Sequence, residues 1–210
     1  SYGRMITGSF VLGNKIAQQT QAGEIVGLLL PNTSITAITF FAIQAYGRVP
    51  AMLNYSTGTA NVISSCRTAK LKIVYSSRRF IEMGKLEPLI ADIAATGIMI
   101  VYLEELREEV TFANKFIGLI FSRFSRIAYH FTDRKQNPKS PCVILFTSGT
   151  EGTPKAVVLS HANIQANRSQ VSTCIDFGPT DIVFNALPMF HSFGLTCGTL
   201  LPILSGLKVF

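Results

Sequence analysis

Residues 146–164 read FTSGTEGTPKAVVLSHANI, a loop rich in Gly, Ser and Thr between two apolar runs. The first run, CVILF, ends at Phe146, and the second, AVVL, begins at Ala156. Short apolar runs bounded by Gly and Pro are typical of buried strands joined by a loop. We therefore expect one strand to end at Phe146 and a second to begin at Ala156.

The loop between these two strands carries groups that bind phosphate. Gly149 and Gly152 let the backbone approach a ligand closely and turn its N–H groups toward it. Lys155 adds a fixed positive charge. The hydroxyl donors are Thr147, Ser148, Thr150 and Thr153. The spacing differs from that of a P-loop, because Lys155 follows Pro154 and precedes Ala156. This stretch alone leaves a solvated hairpin loop open as the alternative.

Strand-like and helix-like segments alternate along the chain. EIVGLLL (24–30) precedes the helical pattern at 34–46, and KIVYS (72–76) precedes that at 80–95. The strands are continuous apolar runs, which is typical of parallel strands covered on both faces. The sequence thus predicts an α/β fold with a mostly parallel sheet and helices on both faces. Ligands of such sheets lie at the carboxyl ends of the strands, where the 146–155 loop would be.

The composition is that of a folded domain. The chain has 210 residues, of which 48% are hydrophobic and 15% charged, too apolar for disorder. The polar stretch TDRKQNPKSP (132–141) is the one candidate subdomain boundary. No apolar run reaches the roughly 20 residues of a bilayer span, and no secretory signal opens the chain. Since Ser1 is not an initiator methionine, we expect the chain to begin inside a longer protein.

Charge and cysteine usage indicate partners and compartment. The net charge of +7 favours an anionic partner, and a nucleotide, an acidic carrier protein and an anionic membrane surface all remain open. Four cysteines form no CxxC pair, which favours reduced thiols in a cytoplasmic protein. They are Cys66, Cys142, Cys174 and Cys197.

Two motifs carry a resemblance to a known superfamily. TSGTEGTPKAV (147–157) resembles the phosphate-binding loop of the adenylate-forming, or AMP-binding, enzymes, and ALPMFHSFGL (186–195) resembles their next motif. A narrower resemblance covers nearly the whole chain and includes residues 47–58, 104–111 and 183–210. It is to the acyl-acyl carrier protein synthetase part of bacterial bifunctional 2-acylglycerophosphoethanolamine acyltransferases.

The resemblance implies an activity and its partners. Residues 1–210 would be a partial AMP-binding domain, the N-terminal portion of the large domain, without the C-terminal domain. The activity would be an acid–thiol ligase that uses ATP and Mg²⁺ to join a fatty acid to acyl carrier protein, with onward transfer to a lysophospholipid as an option. A long-chain fatty acid CoA ligase and a non-catalytic nucleotide-binding or membrane-docking module are the alternatives. Nucleic acid is not an expected partner.

The resemblance also assigns site residues. Phosphate binding would fall to Thr147, Ser148, Gly149, Thr150, Glu151, Gly152 and Lys155. Phe190, His191 and Ser192 would line the acyl or adenylate pocket, and the Thr150 hydroxyl is the candidate magnesium ligand. Ala156 departs from the Gly of many relatives, and Ala would strain a backbone of positive φ.

Other parts of the superfamily's site have no match in this sequence. No catalytic residue is identified, and the magnesium-binding carboxylate, the ribose-binding Asp and the catalytic lysine of the C-terminal domain are missing. We therefore expect the isolated chain to be inactive and to bind Mg·ATP no more tightly than about millimolar.

Residues 111–131 predict a single helix with one large apolar face. That face would be Phe112, Phe116, Ile120, Phe124, Ile127 and Phe131. Lys115, Arg123 and Arg126 fall mostly elsewhere. One interpretation docks this face on the sheet. The other lays the helix on anionic lipid, which would make a cytoplasmic protein peripheral at the cytoplasmic face of the inner membrane.

Overall fold

The computed structural model describes residues 1–132, 137–148, 154–178 and 180–210, and a six-stranded sheet forms the centre of this part of the chain. The strands are β1 (Ile25–Leu28), β2 (Val49–Met52), β3 (Ile73–Ser76), β4 (Met99–Tyr102), β5 (Pro141–Ser148), β6 (Pro154–Ser160), β7 (Ile182–Val183) and β8 (Lys208–Val209). The order in the sheet is β4-β3-β1-β2-β5-β6, and β7 pairs with β8 separately. Neighbours from β4 to β5 are parallel, and β6 is antiparallel to β5.

Helices connect these strands. They are α1 (Tyr2–Gln19), α2 (Ser34–Ala45), α3 (Thr59–Thr68), α4 (Arg78–Gly84), α5 (Glu87–Ala95), α6 (Leu103–Glu108), α7 (Phe112–Arg123), α8 (Ser125–Thr132), α9 (His161–Cys174), α10 (Ser192–Leu195) and α11 (Leu201–Leu204). A 3₁₀ turn spans Tyr55–Thr57, and a π-helical turn, Thr196–Leu200, joins α10 to α11. Ser160 caps α9, since its hydroxyl accepts the N–H of Asn163.

Side chains of the strands alternate between two cores. Leu28, Tyr75 and Leu145 contact α1, α2, α6, α9 and the 192–204 helix in the first core. Val74 and Ile144 contact α3, α4 and α5 in the second core. Helices therefore cover both faces of a mostly parallel sheet, and the predicted α/β fold is confirmed.

Helix α1 crosses α2 at unusually short range. A Cβ at Gly13 would lie 2.5 Å from the carbonyl oxygen of Ala42 and 2.6 Å from the ring of Tyr46. Only glycine fits there, because a backbone oxygen cannot rotate away from it. The crossing buries Ile16 against the sheet and forms one wall of the first core.

Two predicted helices are divided in the structure. The one predicted at 80–95 ends as α4 and restarts as α5, because Lys85 adopts a left-handed conformation (φ 52°) and Pro88 can occupy only the first turn of a new helix. The one predicted at 111–131 is interrupted at Phe124, between α7 and α8.

Of the two interpretations of residues 111–131, docking of the apolar face on the sheet is wrong. Helix α7 packs on α1 through Gly118, which is buried against Val11. The apolar face expected to be inside is exposed in Phe112, Phe116 and Ile120. The large apolar side chains produced the pattern from which the inward face was inferred. The small residue Gly118, however, makes the close contact with α1.

None of the helices in the described part of the chain combines the length and the apolarity that crossing a bilayer requires. All four cysteines are free thiols, and Cys66 and Cys142 are buried. Of the candidate boundary 132–141, residues 133–136 lie outside the described residues, and 137–140 lead directly into β5.

Candidate functional site

The carboxyl ends of the parallel strands meet at one edge of the sheet. Asn32 follows β1, Tyr55 follows β2, and Ser77 follows β3. Thr147 is the second-to-last residue of β5. Parallel strands put all their carboxyl ends on the same side, so segments that are far apart in sequence come together here.

The ladder between β5 and β6 brings Thr147 opposite Lys155. Both residues are exposed, and directly paired residues of antiparallel strands have Cβ atoms about 5 Å apart. Alternation along β5 puts Thr147 on the same face as Leu145, which belongs to the first core. A hydroxyl donor and a cation thus flank the point where the chain leaves β5 and returns as β6.

The predicted residues Gly149, Thr150, Glu151 and Gly152 lie outside the described residues, and for Ser148 only the backbone pairing with Pro154 is described. Ala156 pairs with Phe146 inside β6, and the described non-glycine residues of positive φ are Lys70 and Lys85. Ala156 therefore has no need of a glycine conformation.

Phe190 is buried in the first core beneath this edge. Its ring lies edge-on to the ring of Tyr55 at 5.1 Å between centroids, and Tyr55 contacts Phe80 in the same way at 5.0 Å. These rings hold the 186–192 segment against the ends of β2 and β3, so Phe190 anchors the segment from inside. Tyr55, which the sequence interpretation did not select, is its main aromatic partner at this edge.

His191 and Ser192 are exposed beside the buried Phe190. The His191 ring lies 4.8 Å from the Phe190 ring, and its backbone N–H donates to the carbonyl of Pro188 at 3.1 Å. Ser192 and Phe193 line a groove of about 680 Å³ between α9 and the 192–204 helix. Its other lining residues are Leu159, Asn163, Ile164, Ala166, Asn167, Gln170, Val171, Thr196 and Cys197. Of the three predicted pocket residues, Phe190 thus lies in the core, His191 on the surface and Ser192 in the groove.

Asn185 ties this segment together, and sequence interpretation missed it. Its Nδ2 donates to the hydroxyl of Thr199 at 3.0 Å, and its Oδ1 accepts the N–H of Leu187 at 3.2 Å. Its carbonyl accepts from Nδ2 of Asn32 at 3.1 Å, which links the segment to the end of β1. The available signal was a lone amide inside the apolar run IVFNALP.

The glycine that follows the histidine in ALPMFHSFGL has a packing role. A Cβ on Gly194 would overlap the carbonyl oxygen of Pro188 and lie 2.8 Å from that of Leu187. Gly198 approaches the Asn185 side chain just as closely. The segment can fold back on itself only because both positions lack a side chain.

The half-buried carboxylate of Glu104 lies near this edge, where its Oε1 accepts hydrogen bonds and its Oε2 is buried without a partner among the described residues. Glu104 follows β4 and accepts the Ser77 hydroxyl at 2.7 Å and the Arg79 N–H at 3.5 Å. Burial acts to raise the pKa of Glu104, but these hydrogen bonds hold it below its ordinary value.

The described residues do not form a carboxylate site for magnesium. Among them no three His, Cys, Asp or Glu side chains converge, whereas Mg²⁺ prefers several oxygen ligands in octahedral geometry. The candidate ligand Thr150 lies outside the described residues.

The chain is similar to known proteins in sequence and in fold. A family model described as AMP-binding enzyme matches residues 11–210. The acyl-CoA ligase SID4 of Ajellomyces capsulatus is 27% identical over 202 residues, which are 92% of this chain and 34% of that protein. The 4-coumarate–CoA ligase-like protein 3 of Arabidopsis thaliana is 28% identical over 192 residues, 89% of this chain and 33% of that protein. The chain thus spans about a third of the length of these curated relatives.

A solved structure shares the fold. The ATP-bound MatB of Rhodopseudomonas palustris matches with a TM-score of 0.74 at 21% identity, over 100% of this chain and 39% of that one.

Proposed function

The chain belongs to the AMP-binding enzyme family, and from this premise we propose that it supplies the phosphate-binding and acyl-binding part of an ATP-dependent acid–thiol ligase. The observation that carries the proposal is the pairing of Thr147 with Lys155 on the face that also buries Phe190. A cation, a hydroxyl and a glycine-containing loop at the carboxyl edge of a parallel sheet suit a polyphosphate ligand.

The proposed reaction has two steps. A carboxylate oxygen of the acid attacks the α-phosphorus of ATP, and the α–β phosphoanhydride bond breaks to give acyl-adenylate and pyrophosphate. A thiol then attacks the acyl carbon, forms a thioester and releases AMP. Activation is required because a free carboxylate is a poor electrophile.

Lys155 and Thr147 would act in the first step. Negative charge builds on the phosphate oxygens as the anhydride bond breaks, and donors already fixed in place stabilise that charge most in the transition state. Gly149, Thr150, Glu151 and Gly152 would supply backbone N–H groups and a hydroxyl from the loop. Magnesium would arrive as Mg·ATP, with the substrate's phosphates providing its ligands.

The acid would bind along the 680 Å³ groove that Ser192 and Phe193 line. Val171 and Ile164 give this groove an apolar wall, which suits an acyl chain. His191 is exposed and directly precedes α10. It lies between this groove and the Tyr55–Phe190 pair. Phe190 would hold His191 and Ser192 in position from within the core.

For the acceptor we favour acyl carrier protein, with a fatty acid as substrate and a lysophospholipid as a further acceptor. Support comes from the resemblance of residues 47–58, 104–111 and 183–210 to acyl-acyl carrier protein synthetases. The net charge of +7 also suits an acidic carrier. The second candidate acceptor is coenzyme A, and the printed names of the relatives, acyl-CoA ligase and 4-coumarate–CoA ligase, favour it.

One assay tests the proposal and separates the acceptors. The longest product of the reading frame is incubated with Mg·ATP and radiolabelled palmitate, with either acyl carrier protein or CoA added. Label on the carrier supports the favoured acceptor, and label in a CoA thioester, separated by chromatography, supports CoA. If neither product forms with palmitate or with shorter and aromatic acids, the chain is a non-catalytic module and the proposal fails. The 210-residue chain assayed alone is expected to be inactive.

A further inference from the structure

Helices α7 and α8 pack on the protein through Gly118, Ala128 and Phe121 and present most of their other large side chains to solvent. Gly118 contacts Val11 so closely that a Cβ there would overlap it. Ala128 is buried in a small cluster with Phe10, and Phe121 meets the Phe10 ring edge-on at 5.5 Å. These contacts fix which side of each helix faces inward, so the helices cannot turn over to bury their larger side chains.

The outward side is strongly apolar. Phe112 is 83% exposed, Phe116 56%, Leu119 59%, Phe124 59% and Ile127 59%. A helix on the surface of a globular protein ordinarily turns such a stripe toward the core. We call these five residues the α7–α8 face. Both ends of α7 are fixed. Thr111 and Asn114 form a capping box at its start, and Phe124 ends the helix.

The charged side chains within α7 and α8 are all cations. Lys115, Arg123 and Arg126 are exposed, and residues 110–132 contain no Asp or Glu. Within the described part of the chain, the salt bridges are Lys15–Glu109 and Arg78–Glu105, so no carboxylate neutralises these three cations. Arg4 and Arg107 lie beside Lys115 around a groove of about 980 Å³ on the α1 side of α7.

We propose that the α7–α8 face docks on an anionic lipid bilayer. Phenylalanine and aliphatic side chains would enter the boundary between headgroups and acyl chains, while Lys115, Arg123 and Arg126 contact the headgroups. Each basic residue near an anionic leaflet adds electrostatic attraction at the surface, and the apolar side chains add the burial of their area. This interaction does not depend on the proposed catalytic function.

A second copy of the chain is a poorer occupant for the same face. A symmetric dimer through α7 and α8 would bring the cations of one copy near those of the other, in a chain whose net charge is already +7. Like charges across an interface oppose association. An anionic leaflet satisfies the apolar and the cationic groups together.

Vesicle cosedimentation tests the proposal. The 210-residue chain is mixed with vesicles of phosphatidylcholine alone or with about one-third phosphatidylglycerol, at about 50 mM and about 500 mM salt. We expect binding only to the anionic vesicles, weakened at high salt. The double variant Phe112→Ser/Phe116→Ser and the charge variant Arg123→Gln/Arg126→Gln should each bind about 10-fold more weakly or worse. Circular dichroism confirms that each variant is folded.

Matched controls remove similar groups elsewhere. Phe184→Ser/Phe210→Ser takes two exposed rings from the β7–β8 sheet, and Arg67→Gln/Lys72→Gln takes two exposed cations from the opposite edge of the main sheet. Both should bind vesicles like the parent. Equal loss in the controls would mean that binding is generic to apolar or basic groups and would overturn the proposal.

Three further outcomes would overturn it. The first is equal binding to neutral and anionic vesicles. The second is a dimer, seen by analytical ultracentrifugation, that Phe112→Ser/Phe116→Ser converts to monomer, because the face would then bind a second copy. The third is binding by the 210-residue chain but not by the longest product of the reading frame, because the remaining chain would then cover the face.

Discussion

The 185–198 segment and the α7–α8 pair use small residues to make their contacts, with opposite results. In the first, Gly194 and Gly198 let the chain fold back, so Phe190 is buried and polar His191 and Ser192 face solvent. In the second, Gly118 and Ala128 lie inward, and Phe112 and Phe116 are exposed. Close approach at a glycine, rather than the position of the largest apolar residues, determines which side of a segment packs.

The two contacts differ in what opposes a larger residue. At Gly194 the obstacles are the carbonyl oxygens of Leu187 and Pro188, which are fixed in the backbone. At Gly118 the nearest obstacle is the Val11 side chain, which can change rotamer. We therefore expect the 185–198 segment to be the less tolerant of the two.

Truncating one aromatic ring in each region should give the largest contrast. Phe190→Ala removes a buried ring from the first core and should lower the free energy of unfolding by about 3–5 kcal/mol. Phe116→Ala removes an exposed ring and should change it by less than about 0.5 kcal/mol. Urea denaturation monitored by circular dichroism measures both. Similar losses in the two variants would mean that the α7–α8 face is buried in solution.

The next largest effect should come from Gly194→Ala. The added Cβ would force the backbone of 187–188 to move, which should cost about 2–3 kcal/mol. Gly178→Ala is the control, because a Cβ there meets nothing within 4 Å and the residue is not one of the positive-φ glycines. Equal stabilities for these two variants would remove the proposed role of Gly194.

Gly118→Ala should cost less, about 1–2 kcal/mol. Overlap with Val11 opposes the substitution, while the better helix propensity of Ala offsets about 1 kcal/mol of that cost. The double variant Gly118→Ala/Val11→Ala should recover part of the loss, because it removes the obstacle. A loss as large as that of Gly194→Ala would erase the distinction between backbone and side-chain obstacles.

The smallest effect concerns two thiols, one in each core. Burial raises the pKa of Cys66 and of Cys142 to about 11, against 9.0 in the unfolded chain. The unfolded chain therefore releases protons first, so stability begins to fall as pH approaches 9 and keeps falling until about pH 11. From pH 7.5 to pH 9 the two thiols together should lower the free energy of unfolding by about 0.8 kcal/mol.

Urea denaturation of variants at several pH values isolates this dependence. Cys66→Ala/Cys142→Ala should reduce the decline of stability with pH, even though the cavities lower its starting value. Exposed Cys174 provides the control, because Cys174→Ala should leave the slope unchanged. An unchanged slope in the double variant would mean that these thiols are not protected from water.

The sheet was predictable because continuous apolar runs mark its strands. Helix α1 was not, since it contains Gly3, Gly8 and Gly13 and no side-chain hydrogen bond caps its start. Its stability comes from close packing on α2, which a local pattern does not reveal. The inward side of α7 was not predicted for the same reason, because Gly118 adds no apolar side chain to the sequence pattern.

At the candidate site, the two motifs supplied the segments on which the proposal is built, but not the contacts between them. The sequence placed Thr147 and Lys155 in the loop, whereas in the structure β5 and β6 extend two residues further and pair them. The ring contact of Tyr55 with Phe190 and the hydrogen bond from Asn32 to Asn185 join segments that are far apart in the chain. Such contacts depend on strand order in the sheet, which one sequence does not specify.

We propose that the end of the β5–β6 hairpin binds the phosphates of ATP. ATP–pyrophosphate exchange is the most direct test of this claim. Exchange is measured in the longest product of the reading frame, with palmitate, for the parent, Lys155→Ala and Lys72→Ala. Lys72 is equally exposed but lies at the opposite edge of the sheet. We predict that Lys155→Ala slows exchange about 100-fold while Lys72→Ala does not, because loss of one preorganised donor to developing charge typically costs that much. Equal rates in all three proteins would contradict the claim.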